Sequence, residues 1–234
     1  MIPKIIHQIW SDVKEPLPDI FSVLGQTWKD NHPEWKYEYW DEARMNHFVR
    51  RHFPQYWQAY VNFPFDVQRW DAIRFLFLYH HGGMYVDFDS ECLSPLDPLL
   101  NGHSCCLGLE PAGHAVQFKR SLIIGNALMA TVPGHPFFEM IIRDLFAKPS
   151  VTLKGNKALH VIETTGPLMT TGIYDAYPRK DDIRLLPAEL VAPLTIEEVR
   201  RIMEGSDMSD LEEKVEKAYA IHYFFGLWHK HLDT

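Results

Sequence analysis

The stretch from residue 65 to residue 89 constrains the fold of this chain more than any other part of its sequence. Apolar residues recur at helical spacing over residues 65–81, and Gly82-Gly83 predicts a left-handed end to that helix. Met84-Tyr85-Val86 then reads as a short strand that runs into Asp87-Phe88-Asp89. Helices and strands that alternate in this way form α/β sheets, in which ligands bind beyond the carboxyl ends of the strands.

Elsewhere the chain also alternates between predicted strands and predicted helices. The β-branched residues of Ile2–Trp10 and the alternating pattern of Trp35–Trp40 favour two early strands. Further strands are predicted at 107–109, 121–130, 183–186 and 219–225, and further helices at 19–30, 42–52, 54–60, 136–146, within 163–177, and at 195–204. We expect an α/β sheet covered by helices on both faces, in one domain over residues 1–234.

The composition excludes several classes of protein. At 46% hydrophobic residues, the chain of 234 residues can build a core, which excludes disorder. A net charge of −8 argues against a nucleic-acid binder, and no apolar run reaches the ~20 residues that span a bilayer. Three cysteines, two of them adjacent, make a poor disulfide framework. Because Met1–Lys4 also lack the apolar core of a signal peptide, we expect a cytoplasmic protein.

Asp87 and Asp89 carry the strongest chemical signal in the sequence. Carboxylates two residues apart project to one side if the backbone stays extended, and they repel each other unless a cation neutralises them. Mg²⁺ and Mn²⁺ prefer such oxygen ligands and complete their shells with water and substrate phosphate. The pattern therefore predicts a site for a metal and a diphosphate. The alternative is a polar turn that closes the strand.

Asp71 and Arg74 lie on the helix that leads into this strand. Their spacing of three residues places both side chains on one helix face. An aspartate can accept hydrogen bonds from sugar hydroxyls, and the arginine fork can bind phosphate or hydroxyl oxygens. The alternative is an ion pair on the helix surface.

Several blocks of the sequence resemble glycosyltransferase family 32. Ile2-Pro3-Lys4-Ile5-Ile6-His7-Gln8-Ile9-Trp10 resembles the opening of its members, and Arg69–Asp89 is similar to their central Asp-x-x-Arg and Gly-Gly-x-Tyr-x-Asp-x-Asp motifs. Asn126–Pro136, Thr165-Gly166-Pro167 and His222–Trp228 match further blocks in the same order. The family includes yeast-type initiating mannosyltransferases and bacterial transferases of capsule and lipopolysaccharide synthesis. The clostridial glucosylating toxins share its core more distantly.

The resemblance implies a GT-A-type fold with a mostly parallel central sheet. It also implies a retaining, metal-dependent glycosyltransferase with Mn²⁺ or Mg²⁺ as its cation and a nucleotide-diphosphate sugar as its donor. We expect a UDP-hexose, with GDP-mannose as the alternative donor. The expected acceptor is a glycan or lipid-linked glycan of cell-surface polysaccharide synthesis, with peripheral contact at the inner membrane face. Residues 219–234 would close the donor site.

The same resemblance assigns roles to residues in the first half of the chain. Asp71 and Arg74 would hold the donor sugar. Trp10 would stack on the nucleotide base, and Tyr85 would lie against the nucleotide. Asp87 would contact ribose, sugar or metal. Loss of Asp71, Arg74 or Asp87 is expected to cripple transfer, and no residue stands out as a catalytic base.

Further site residues are assigned to later parts of the chain. Asp89 would be the firmest metal ligand, and His222 would either bind the metal with it or serve a structural role. Asn126 would line the sugar or acceptor side, and Trp228 would donate its indole N–H to the diphosphate. Leu227 stands where the family has a serine. The missing hydroxyl leaves open a catalytically weak relative that only binds the sugar nucleotide.

Other functions remain as alternatives. A Mg²⁺-dependent phosphohydrolase would need an acidic pair after its first Asp-x-Asp, for which Asp181-Asp182 is the candidate. A glycoside hydrolase needs two carboxylates flanking a sugar, whereas carboxylates two residues apart suit a shared cation better. Glu163-Thr164-Thr165 is either an acceptor contact or a helix N-cap.

Overall fold

The computed structural model describes residues 1–13, 15–147, 156–205, 209 and 211–232. The strands are β1 (Ile5–Ile9), β2 (Lys36–Trp40), β3 (Gly83–Val86), β4 (Ser90–Cys92), β5 (Cys105–Leu109), β6 (Ile124–Thr131), β7 (Arg184–Leu186) and β8 (Ala220–His222). The helices are α1 (Asp19–Asn31), α2 (Glu42–His52), α3 (Trp57–Val61), α4 (Asp66–His81), α5 (Asp97–Leu100), α6 (Ala112–Gln117), α7 (Pro136–Ala147), α8 (Lys157–Thr164), α9 (Pro167–Ala176), α10 (Ala188–Val191), α11 (Ile196–Met203) and α12 (Glu212–Glu216). Short 3-10 helices cover Pro54–Tyr56, Lys180–Asp182 and Leu227–Leu232.

The central sheet of the described residues has six strands in the order β2-β1-β3-β6-β5-β7. β1 pairs in parallel with β2 and β3, and β5 pairs in parallel with β7. Only β6 is antiparallel to its neighbours in this sheet, so the other five strands run in one direction. The mostly parallel sheet confirms the predicted fold class. A separate two-stranded sheet pairs β4 with β8 in antiparallel orientation.

Successive residues of the strands face two different cores. On β3, Tyr85 packs into one hydrophobic cluster, whereas Met84 and Val86 pack into another. The first cluster takes side chains from α2, α4, α7 and α9, and the second takes them from α1, α5 and α10. Helices therefore cover both faces of the sheet, as the alternation of predicted elements indicated.

Helix α4 leads the chain into the centre of the sheet. Its residues 75–78 are fully buried, so this part of the helix lies inside the protein. The helix ends at Gly82, as predicted, with a left-handed φ of 67° and with its N–H bonded to the Leu78 carbonyl. A Cβ at this position would lie 2.8 Å from the Thr131 carbonyl oxygen. Glycine is therefore required where α4 turns into β3.

Several predicted boundaries differ from the structure. The strand predicted from residue 121 begins at Ile124, whose N–H donates to the Thr171 hydroxyl. The strand predicted over residues 219–225 ends at His222, and at Phe224 the backbone becomes left-handed with a φ of 48°. β4 and α8 were not predicted. The three residues of β4 form a strand only because β8 returns from the far end of the chain to pair with them.

The cysteines lie in the interior of the protein. Cys92, Cys105 and Cys106 are buried and free, which agrees with the poor disulfide framework inferred from the sequence. Among the described helices, none has the length and apolar character needed to cross a membrane.

Candidate active site

A cavity of about 350 Å³ lies beyond the carboxyl ends of β1 and β3. This is the edge at which α/β sheets bind their ligands. All nine residues predicted for the site line this one cavity: Trp10, Asp71, Arg74, Tyr85, Asp87, Asp89, Asn126, His222 and Trp228. The structure thus brings together residues from six parts of the chain, while their individual roles remain predictions.

Asp87, Asp89 and His222 form a cluster in which one ligand atom of each residue lies within 4.8 Å of the others. The condition of an extended backbone is not met, and the polar turn named as the alternative is present, because the Ser90 N–H donates to the Asp87 carbonyl at 3.2 Å. The turn brings the carboxylates together. The pairing of β4 with β8 places His222 opposite Ser90 and thereby beside Asp89.

Asp89 is held by groups from the C-terminal part of the chain. His222 Nε2 lies 3.1 Å from its Oδ1, and the Phe225 N–H donates to its Oδ2 at 3.0 Å. Burial favours the neutral acid, but His222 and the Phe225 N–H outweigh burial and lower the pKa of Asp89. Burial also disfavours charge on His222, whose pKa is nevertheless raised by Asp89. Carboxylates are the ligands that Mg²⁺ and Mn²⁺ prefer, so the residues present fit such a cation.

Arg74 joins α4 to the end of β3. Its guanidinium lies 3.1 Å from Asp71 Oδ1 and 3.4 Å from Asp87 Oδ1. It also donates to the Asn126 carbonyl at 2.9 Å, and its Cζ lies 4.6 Å from the ring centre of Tyr85. The ion pair named as the alternative is therefore present, but its side chains, at 6% exposure for Asp71 and 8% for Arg74, are buried and do not lie on the helix surface. The guanidinium places a fixed positive charge at the cavity wall.

Asp71 is buried and fully engaged by its neighbours. Thr165 Oγ1 donates to its Oδ2 at 2.7 Å, and Asn126 Nδ2 donates to its Oδ1 at 3.0 Å. Burial raises the pKa of this carboxyl, while Arg74 acts in the opposite direction. The N-cap interpretation of Thr165 is wrong, because Gly166 is the N-cap of α9 and the Thr165 hydroxyl binds Asp71. The two carboxylate oxygens of Asp71 are therefore oriented by residues distant in sequence.

The two tryptophans of the predicted site are anchored differently. The Trp10 indole N–H donates to the Glu15 carbonyl at 3.1 Å, and the Trp10 ring meets Phe21 edge-on at a centroid distance of 5.4 Å. Trp228 lies in the last 3-10 helix, where its ring stacks on His229 at 3.9 Å. Both side chains line the cavity.

Leu227, which stands where the resemblance leads us to expect a serine, also lines the cavity. It packs against an apolar cluster that contains Phe21, Leu24 and Phe88. The chain therefore has an apolar contact at this point of the site, where the family resemblance leads us to expect a hydroxyl. Tyr85, in contrast, keeps a polar contact, because its hydroxyl donates to the Asp87 carboxylate.

Glu110, His114 and Phe224 line the same cavity and were missed by the sequence analysis. Glu110 directly follows β5, as Trp10 follows β1, and this position after a buried strand was the available signal. His114 has no such signal, because only the fold shows that its Nδ1 lies 3.0 Å from Glu110 Oε2. Phe224 is placed by the turn that follows β8.

Asp181 and Asp182, the acidic pair of the phosphohydrolase alternative, do not line the cavity. They precede β7, which runs parallel to β5 and β3, and so they lie at the amino edge of the sheet. Asp182 instead forms an ion pair with Arg179, in which Oδ2 lies 3.1 Å from Nε. Glu163 is exposed and is also absent from the cavity lining. The geometry therefore argues against the phosphohydrolase.

Residues 18–105 match the family described as glycosyltransferase sugar-binding region containing DXD motif. The matched segment includes α4, β3 and Asp87-Phe88-Asp89. It ends before Asn126 and His222, which the fold alone brings to the same cavity.

Similar proteins carry glycosyltransferase names. An inositol phosphoceramide mannosyltransferase of Schizosaccharomyces pombe is 32% identical over 77% of this chain and 48% of that protein. A mannosyl phosphorylinositol ceramide synthase of Saccharomyces cerevisiae is 30% identical over 80% of this chain and 46% of that protein. An uncharacterized glycosyltransferase of Acanthamoeba polyphaga mimivirus is 28% identical over 84% of this chain and 75% of that protein. The chain thus spans about half the length of the first two relatives.

Solved glycosyltransferase structures share the fold. The ligand-free glycosyltransferase domain of the YGT toxin superposes with a TM-score of 0.55 at 8% identity, over 92% of this chain and 88% of that domain. PaToxG glycosyltransferase superposes with a TM-score of 0.52 at 17% identity, over 77% of this chain and 72% of that one. These likenesses confirm the GT-A-type α/β fold. The sequence match over residues 18–105, which includes the Asp-x-Asp strand, identifies this part of the chain as a glycosyltransferase sugar-binding region containing a DXD motif.

Proposed function

We propose that this protein transfers a hexose from a nucleotide-diphosphate sugar to a hydroxyl group of a glycan or lipid-linked acceptor. The observation that carries the proposal is one cavity that holds both the Asp87–Asp89–His222 cluster and the buried Arg74. Negative charge grows on the diphosphate as the sugar–phosphate bond breaks. A divalent cation held by the three-residue cluster would neutralise part of that charge. Arg74 would stabilise it from the α4 side.

The contacts around Arg74 support a preorganised donor site. Asp71 and Asp87 orient the guanidinium, and Thr165 and Asn126 in turn orient Asp71. Fixed donors and charges need little reorganisation when the bond breaks, which is the usual source of electrostatic catalysis. For this reason the proposal gives Asp71, Arg74 and Asp87 the largest effect on transfer.

The aromatic residues of the cavity support a nucleotide and a sugar as the donor's two parts. The Trp10 ring, held at its indole N–H, offers a rigid surface for a base, and Tyr85 lies beside Arg74 and Asp87. The Trp228 indole N–H would donate to the diphosphate. Retention at the anomeric carbon is proposed from the family resemblance.

Mannose is the sugar we propose to test first. The relatives at 32% and 30% identity are named for mannosyl transfer to inositol phosphoceramide or for its product. We therefore propose to test GDP-mannose before the UDP-hexose that the sequence analysis favoured. A lipid acceptor requires contact with a membrane surface, and the three buried free thiols support a cytoplasmic location at its inner face.

The test is turnover of GDP-mannose, UDP-glucose and UDP-galactose with Mn²⁺, using inositol phosphoceramide in detergent micelles and methyl α-mannoside as acceptors. We expect one donor to be consumed, the product to keep the donor's anomeric configuration by NMR, and EDTA to stop the reaction. Asp89→Asn should abolish turnover, whereas the matched control Asp181→Asn, at the opposite edge of the sheet, should not change it. If no donor is consumed under any of these conditions, the proposed transfer is contradicted.

Leu227 supports a second candidate function, in which the protein binds the sugar nucleotide but transfers its sugar only slowly. Its apolar side chain lines the cavity where a hydroxyl is expected. In that case nucleotide binds with Mn²⁺ but turnover is slow, and Leu227→Ser should raise the turnover. Unchanged turnover in this variant argues against the idea.

A further inference from the structure

We propose that Glu110 binds a hydroxyl group of the acceptor and that His114 positions the Glu110 carboxylate for this role. This inference rests on the proposed transferase function. It adds an acceptor-binding residue that none of the sequence motifs contains.

Glu110 is placed in the cavity by the edge of the sheet. It directly follows β5, and its N–H donates to the Ile123 carbonyl at 3.0 Å. Its side chain passes over Gly125, where an added Cβ would lie 3.3 Å from Glu110 Cγ. The absence of a side chain at Gly125 therefore gives Glu110 the room to reach the cavity that Asp87 and Asp89 also line.

His114 fixes one oxygen of the Glu110 carboxylate. The Ile196 N–H donates to His114 Nε2 at 3.3 Å, which leaves the hydrogen on Nδ1. Nδ1 then donates to Glu110 Oε2 at 3.0 Å, and the His114 side chain is only 4% exposed. Both ring nitrogens are thus occupied. Within the described part of the chain no hydrogen bond reaches Glu110 Oε1, so this oxygen is the one that can accept from a ligand.

Phe224 connects this pair to the candidate metal cluster. Its ring centroid lies 4.0 Å from that of His222 and 5.0 Å from that of His114. One aromatic ring therefore separates the Glu110–His114 pair from the Asp89–His222 pair. The left-handed backbone at Phe224 turns the ring into this position.

The charge of a carboxylate decides which ligand Glu110 can bind. A second negative group repels a diphosphate, whereas a carboxylate oxygen is a strong acceptor for hydroxyl hydrogens. Three apolar side chains that line the same cavity, Phe118, Ile123 and Phe224, suit the carbon face of a ring. These features point to a hydroxyl-bearing ring, a sugar or an inositol, on the acceptor side of the cavity.

The first test compares Glu110→Gln with the matched control Glu139→Gln, which changes an exposed glutamate of α7. We measure nucleotide binding with Mn²⁺, hydrolysis of GDP-mannose without acceptor, and transfer to methyl α-mannoside and to inositol phosphoceramide in micelles. Since a hydrogen bond to a charged group is lost, the acceptor KM should rise about 10-fold or more in Glu110→Gln. Nucleotide affinity and donor hydrolysis should stay within about twofold of wild type in both variants.

Three results would overturn the inference. An unchanged acceptor KM removes Glu110 from the acceptor, and an equal loss of donor hydrolysis places it on the donor instead. The third result concerns a wild type that binds nucleotide with Mn²⁺ and yet neither uses methyl α-mannoside or inositol phosphoceramide as an acceptor nor binds them in calorimetry. That result also contradicts the inference. Failure of the wild type to bind any nucleotide would instead contradict the proposed function, so the two failures are distinguishable.

His114 is tested as a positioning residue by His114→Asn and His114→Ala. Asparagine can place an N–H near the position of Nδ1, whereas alanine cannot, and both variants lose the acceptor of the Ile196 N–H. Both should therefore melt at similarly lowered temperatures. The acceptor KM should rise in His114→Ala as in Glu110→Gln and should stay near the wild-type value in His114→Asn. Equal KM values in the two variants would make His114 merely structural.

Discussion

The two walls of the cavity are built on different principles. The sheet wall, formed by α4 and β3, holds the buried side chains of Asp71 and Arg74 within a network of ion pairs and hydrogen bonds. The C-terminal wall, residues 222–229, is half-buried as far as Trp228 and contains left-handed backbone at Phe224 and Gly226. His222 and Phe225 contact Asp89 just after β3, and Trp228 packs against an apolar cluster that contains Val67 of α4.

Because of this difference, we expect substitutions in the two walls to affect folding stability and ligand binding differently. Charges in the sheet wall are desolvated and depend on one another, so a substitution there should damage folding and ligand binding together. The C-terminal wall contributes a small share of the core, and substitutions there should change binding more than folding. The following predictions test that division, from the largest expected effect to the smallest.

Arg74→Met should cause the largest loss of stability. The substitution removes the guanidinium that pairs with Asp71 and Asp87, and breaking a buried ion pair typically costs about 3–5 kcal/mol. Urea denaturation should therefore show a much lower free energy of unfolding. The control Arg143→Met changes a 75% exposed arginine and should stay within about 0.5 kcal/mol of wild type. A similar small effect in both variants would contradict the coupled sheet wall.

Acidification should destabilise the sheet side through His7 on β1. The Trp40 indole N–H donates to its Nδ1 and its Nε2 lies 2.9 Å from the Gly82 carbonyl, so His7 is buried neutral. Burial lowers its pKa from 6.5 to about 4. The unfolded chain then binds the proton first, and stability is lost as the pH falls from 6.5 towards 4.

Between pH 7 and pH 5 the His7 contribution amounts to about 2 kcal/mol of unfolding free energy. Urea denaturation at both pH values should show this loss in the wild type, and His7→Gln should reduce the difference. The same pH dependence in both proteins would remove His7 as its cause.

Thr165→Val should cost about 1–3 kcal/mol, because the buried Asp71 carboxylate loses a hydrogen-bond donor at 2.7 Å. The donor KM should also rise, since Asp71 orients Arg74. Thr164→Val is the matched control: its hydroxyl binds Gln68 and the His160 carbonyl, outside the cavity lining. The control should lower stability without changing the donor KM. A donor KM that changes equally in the two variants would contradict the role of Thr165.

Gly226→Ala should have the smallest effect on folding and a clear effect on nucleotide binding. At a φ of 63° an alanine is strained, and its Cβ would lie 3.1 Å from His229 Cδ2, next to Trp228. Because the half-buried segment can shift locally to relieve strain of roughly 1–2 kcal/mol, the cost should appear as a fall of about 5- to 30-fold in nucleotide affinity, and the unfolding free energy should change little.

Gly134→Ala is the control for this variant, because its φ of 69° gives similar strain and no atom lies within 4 Å of the added Cβ. It should lower the unfolding free energy by roughly 1–2 kcal/mol and leave nucleotide affinity unchanged. If both glycine variants act on folding alone, the C-terminal wall is not a binding element.

The sheet wall could be predicted from the sequence because its signals are local. Helical periodicity followed by two glycines fixed α4 and β3, and the spacing of Asp71 and Arg74 put them on one face. Asp41 also caps α2 as expected, accepting from the Arg44 N–H at 2.7 Å. Local patterns of this kind do not depend on the rest of the fold.

The remaining parts of the site depend on contacts between distant segments. Thr165 meets Asp71 across 94 residues, and β4 exists only through β8. Glu110 and His114 are four residues apart but belong to no motif, and only the fold brings them to the same cavity as Asp87 and Asp89. Such contacts are set by the tertiary arrangement, which overrides local preference.

The most direct test of the account is calorimetric titration of GDP and UDP onto the wild type and Asp89→Asn, each with Mn²⁺ and with EDTA. The account predicts that one nucleotide binds with Mn²⁺, that EDTA abolishes its binding, and that Asp89→Asn loses at least the roughly 10- to 100-fold typical of a disturbed metal site. Binding that is equal in Mn²⁺ and EDTA, or equal in wild type and Asp89→Asn, would contradict a cation held by Asp87, Asp89 and His222.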